Sequence, residues 1–131
     1  MNPEDRARFD TLVERVIEAL PATVAVLLEE VPVMVEDLPD AATLEELGME
    51  SEQADELCGL HTGVMRTERS IDDHAVPPSD VVLYREGIVR TAGGWEAGDR
   101  VIEDEIRITL LHELGHEMGL EEDDLDDLGY G

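Results

Sequence analysis

Apolar residues at Phe9, Leu12, Val13, Val16, Ile17 and Leu20 recur at three- and four-residue intervals and predict an amphipathic helix over Pro3 to Leu20. Pro3 suits its first turn, where no backbone N–H is missed, and Glu4 and Asp5 complement the positive end of the helix dipole. Pro21 interrupts, and Ala22 to Glu30 reads as a second short helix with Val24, Leu27 and Leu28 turned toward the first. Val31 to Leu38 is valine-rich and predicts a strand with Val33 and Val35 on one face, which Pro32 places near an edge or at a strand start.

The middle of the chain is less periodic. Pro39 to Leu60 is acidic and reads as loop with short helical turns. His61 to Arg69 holds a second strand around Val64 and Met65, and Ser70 to Asp80, with Pro77 and Pro78, is a loop. Val81 to Arg85 is the clearest strand, and Gly87 to Gly98 is a connecting segment with at most one helical turn. Asp99 then caps a long helix from Arg100 to about Met118, spanning about 28 Å. Its apolar positions Ile102, Ile106, Leu110, Leu111, Leu114 and Met118 cover a wide arc, with Val101 and Ile108 beyond it, so the helix should be central and largely buried. Glu105, Thr109, His112, Glu113 and His116 form one polar stripe along it.

A chain of 131 residues suits one domain, residues 1–131, with a core of aliphatic residues because only Phe9, Tyr84, Trp95 and Tyr130 are aromatic. The 34 Asp and Glu against nine basic residues, every one an arginine, give a net charge of −25. Such a surface repels phosphate backbones and anionic lipid, which argues against nucleic acid and membrane partners; it favours cationic ones, although solubility is its plainer use. Cys58 is the single cysteine, which excludes an intrachain disulfide and a thiolate zinc cluster. The start of the chain lacks a signal-peptide pattern and no apolar run reaches membrane-spanning length, so a soluble, cytoplasmic protein is expected.

The candidate chemistry sits on the polar stripe. His112-Glu113-Leu114-Gly115-His116 places two imidazoles four residues apart, about 40° apart around a helix axis, so both reach one metal ion. Glu113 projects beside them, where it can serve as general base without being a ligand. A zinc hydrolase needs a third protein ligand and one open position. Gly119 can turn the chain back beneath the metal, and Glu122, three residues later, is the expected third ligand of a single Zn2+, with Glu121 and Asp123 as substitutes. Glu105 is a candidate to orient His112, as is a backbone carbonyl. His61 and His74 lie in acidic, loop-like surroundings and read as surface residues.

The run His112 to Leu120, the acids Glu121-Glu122-Asp123-Asp124 and the closing Leu128-Gly129-Tyr130 resemble the end of the minimal zincin-like metallopeptidases. Gly59-Leu60-His61-Thr62-Gly63-Val64 with Thr67-Glu68-Arg69 is similar to that family's G-L-Y-x-G-V and T-E-R segment, with His61 where tyrosine is usual, and Val81 to Arg85 matches its strand. The likeness covers most of the chain after Val31. It implies a compact α+β domain with a small mixed sheet packed on N-terminal helices and a long C-terminal active-site helix. It also implies zinc held by His112, His116 and Glu122, with Glu113 as base and peptide lying along an edge strand, Val81 to Arg85. The third metal position departs from the histidine of metzincins, and no Met-turn follows before Gly131, so one wall of the usual cleft is expected to be missing.

Three functions follow from these residues. The first is a zinc-dependent peptidase acting on short peptide or unfolded protein. The second is a metal-stabilised binding or regulatory module without proteolysis, against which the presence of Glu113 argues. The third is a protein without metal, its histidines ordinary helix residues.

Overall fold

The computed structural model describes residues 1–29, 31–62 and 80–117, with the side chains of all of these except Thr62, His116 and Glu117. The first helix, α1, runs Pro3–Glu18; Asn2 caps it by accepting from the Asp5 N–H at 2.8 Å, and Phe9, Leu12, Val13 and Val16 are its buried stripe. The second predicted helix is shorter: α2, Ala22–Ala25, tightens into a 3-10 turn at Val26–Glu29. Strand β1, Val33–Glu36, turns Val33 and Val35 toward the core and leaves Met34 and Glu36 exposed, as the sequence predicts. Helix α3, Ala41–Leu47, is capped by the Asp40 carboxylate on the Thr43 N–H and ends at Gly48, whose φ of 69° is left-handed. A 3-10 turn at Ser51–Glu56 leads to strand β2, Gly59–Thr62. Strand β3 is Asp80–Tyr84, helix α4 Arg85–Ala92 and helix α5 Asp99–Glu117.

Three expectations change. Strand β2 starts at Gly59, inside the segment read as loop, and the strand expected around Val64 and Met65 lies outside the described part of the chain. The supposed connecting segment from Gly87 contains α4, whose Ile88 and Val89 are buried and whose C-terminus is closed by Gly93 at φ 106°. Gly87 interrupts the apolar pattern there because a Cβ would stand 2.0 Å from the Leu57 carbonyl oxygen; α4 can pack on that loop only without a side chain. Helix α5 is two-sided, not largely buried: Ile102, Ile106, Leu110 and Leu114 are inside, while Val101 and Ile108 are over 40% exposed.

The sheet order is β1-β3-β2, with β1 parallel to β3 through Val33↔Val81 and Val35↔Leu83, and β2 antiparallel to it through Gly59↔Leu83 and His61↔Val81. Together with the helices this makes the chain α+β with a small mixed sheet, as the resemblance implies. β3 is therefore central. Its Val81 and Leu83 join the core of α1, α4 and α5, and Val82 and Tyr84 are buried on the other face. Burial pushes the Tyr84 phenol up to about 12, helped by the nearby Glu36 and Asp40 carboxylates. The edge role expected of Val81 to Arg85 passes, among the described residues, to β1 and β2. No helix of the described residues is long and apolar enough to cross a membrane.

The N-terminal helix is tied to the sheet by charge as well as by burial. Arg85, only 12% exposed, donates to Asp10 of α1 at 2.9 Å and to Asp37, just after β1, at 2.9 Å. Arg6 donates to the same Asp37, and the N-terminal amine lies 3.8 Å from it. Hydrogen bonding from Arg6 is the largest cause holding the Asp37 carboxyl below its ordinary value; Arg85 adds to it, and partial burial opposes. A carboxyl lowered by folding contributes stability above its unfolded pKa, about 3.9, and loses it as pH falls through the folded value. Asp37→Asn should therefore lower the unfolding free energy at pH 7 by on the order of 1 kcal/mol, since much of the pairing is solvent-screened. In denaturant titrations this deficit should shrink progressively below about pH 4.

Candidate active site

The buried stripe of α5 fixes which way its polar stripe looks. With Ile106, Leu110 and Leu114 packed in the core, Thr109 and Glu113 fall at the margin of that face, about 40° to 80° around from the line of Glu105. This margin lies against β2. A Cβ on Gly59 would stand 2.7 Å from the Thr109 methyl, 3.2 Å from the Val82 carbonyl oxygen and 3.3 Å from Glu113 Cγ. Gly59 has no unusual φ; it is needed for close approach. Thr109 is correspondingly buried, at 8% exposure, and is the one buried polar residue among those described.

Side chains two residues apart in a strand share a face. Gly59 faces α5, and His61 follows it there: His61 Nδ1 lies 3.4 Å from Glu113 Oε2, with side-chain exposures of 23% and 14%. The expectation of a surface histidine is corrected by this contact. Four residues are too few to show strand periodicity, and the acidic flanks point to solvent. The pattern Gly59-x-His61 is the available signal, and it acquires meaning only once β2 is paired with β3.

His112 is half-buried on α5 beside Glu113, and the helix continues unbroken to Glu117. His116 therefore stands one turn beyond His112 on the same backbone. Glu122, its substitutes Glu121 and Asp123, and His74 lie outside the described residues. Among the described residues no three His, Cys, Asp or Glu side chains gather closely enough to hold a metal ion. His112, with an imidazole position at i+4 and a run of carboxylates after the helix, nonetheless has the donor chemistry that zinc accepts.

Cys58 precedes β2 at the same margin, its Sγ 3.1 Å from Thr91 Oγ1 of α4. Burial, the largest cause, pushes its thiol pKa up, and the field of Glu105 and Glu113 adds to it, so the group is a neutral thiol packed on the core. The surface hollow between the end of α1 and α5, with Arg15, Leu20, Glu103 and Arg107 on its walls, opens on the side of α5 away from Glu113. It is separate from this chemistry, and an Arg15–Glu103 ion pair of 3.1 Å crosses it.

Close approach at Gly59 is thus what brings His61 to Glu113. Gly59→Ala should cost roughly 1–3 kcal/mol of stability, the range for overpacking, because the new methyl meets both a side chain and a strand carbonyl. Thermal unfolding checks the cost; full wild-type stability would show that β2 can move away from α5 freely.

A family model described as zincin-like metallopeptidase matches residues 28–131, which takes in every described strand, α3 to α5 and the whole H-E-x-x-H stretch. No curated protein matches the chain. The family suggests a zinc-dependent peptidase, hence a hydrolase, and implies zinc as the metal. With the match covering most of its length, the chain belongs to the zincin-like metallopeptidase family.

Proposed function

We propose that the protein hydrolyses peptide bonds at the margin between α5 and β2, with Glu113 as general base and one zinc ion held by His112, His116 and Glu122. The observation that carries this reading is the position of Glu113. Its side chain is 14% exposed, bounded by Gly59 and His61, and adjoins His112 on one helix. A purely structural metal site has no use for such a group.

When bound, zinc supplies a Lewis acid that acidifies water and polarises a carbonyl. The remaining chemistry belongs to the chain. Glu113 takes the proton from the attacking water and delivers it to the amine that leaves, so the carboxylate ends the cycle as it began. Its partial burial beside β2 strengthens this role by limiting competing hydrogen bonds from bulk water. Short or unfolded peptides, which bind in extended form, are the substrates this reading takes.

Purified protein should hold about one zinc per chain, and a chelator should abolish hydrolysis of a mixed fluorogenic peptide library, with zinc restoring it. Glu113→Gln should lower kcat by at least about a hundredfold while zinc content stays unchanged. Full activity in Glu113→Gln would refute the assigned base. Zinc binding with no hydrolysis by the wild type would favour the binding-module reading.

A further inference from the structure

The geometry points to His61 as a positioning residue for Glu113, a role that rests on the peptidase reading above. A general base must present one carboxylate oxygen to water in a fixed direction, and a glutamate on a helix has three side-chain torsions to restrain. Two of the restraints are visible. Gly59 lies against the Glu113 Cγ, where β2 blocks lateral movement of the stem. His61 Nδ1 approaches Oε2 at 3.4 Å from the same strand, two residues on. That separation is long for a hydrogen bond, as contacts between catalytic groups often are before substrate and metal tighten the site.

An Nδ1–H donated to Oε2 holds the carboxylate in one orientation. His61 thereby acts through Glu113, without touching the reacting atoms. The arrangement belongs to this chain's own residues: a tyrosine at position 61 would carry its polar atom at the end of a longer side chain, further from the strand than Nδ1.

The position of Nδ1 supplies a specific test. An asparagine side-chain nitrogen occupies nearly the same place relative to the backbone as histidine Nδ1, whereas leucine has similar bulk and no donor. In the zinc-loaded protein, His61→Leu should lower kcat about tenfold to a hundredfold with KM within about twofold. His61→Asn should recover most of the loss. Zinc affinity, measured by competition with a chromogenic chelator, should be the same in all three. Equal kcat in His61→Leu and wild type, no recovery with asparagine, or a weakened zinc affinity in His61→Leu would each overturn the proposal.

A second readout does not need turnover. In 15N-histidine-labelled protein at pH 8.5, His61 should carry its proton on Nδ1, and Glu113→Ala should shift the resonance of that nitrogen. If Glu113→Ala leaves the His61 nitrogen shifts unchanged, the contact is not a hydrogen bond and the proposal fails. An inactive wild type that still shows this shift would sink the peptidase reading and leave the His61–Glu113 coupling standing.

Discussion

The close approach of β2 to α5 at Gly59 is the constraint on which the rest of the arrangement depends. A strand can lie this near a helix only where one side chain is missing, and here the space is taken by the Thr109 methyl and the stem of Glu113. The approach is possible because β3 is held from both sides. β1 pairs with it in parallel, β2 antiparallel, and α1, α4 and α5 cover its Val81 and Leu83. Once β3 is fixed, the register Gly59↔Leu83 and His61↔Val81 decides which residues of β2 face the helix. A shift of one residue would turn Leu60 toward Glu113 and His61 away.

The same logic connects the acidic surface to the fold. With a net charge of −25, six of the seven arginines among the described residues pair with a carboxylate, most of them where elements join. Arg85 at the β3–α4 boundary ties Asp10 to Asp37, Arg8 pairs with Asp99 at the start of α5 while covering the Trp95 ring at 4.5 Å, and Arg90 reaches Asp55. Individually such pairs are weak in solvent. Their effect here is to set how α1 and the 3-10 turn before β2 meet the helices that carry the site.

Much of this is legible in the sequence where a period has room to show. The stripes of α1 and α5, with 16 and 19 residues, and the valine-rich β3 stand out from residue pattern, and the H-E-x-x-H spacing together with the glycine and acids that follow it points to zincin-like chemistry. What is not legible depends on long-range pairing. β2 has four residues, too few for alternation, and its partner β3 begins only after residue 79. The edge role that the resemblance implies for Val81 to Arg85 fails because β1, nearly fifty positions earlier, pairs with it in parallel, which nothing local reveals. Gly87 hides α4 for a packing reason that exists only in the folded state, the contact with Leu57. His61 reads as solvent-facing for the same reason: its environment is made by Glu113, 52 residues away.

The central claim is that one face of α5 presents its imidazoles to a metal ion and its glutamate to β2, with His61 serving the glutamate and not the metal. X-ray absorption at the zinc edge of the metal-loaded protein tests this most directly. The account predicts two imidazole nitrogens at about 2.0–2.1 Å, the remaining ligands oxygen, and no sulfur near 2.3 Å. A third imidazole, a sulfur ligand, or a metal bound by fewer than two histidines would contradict it.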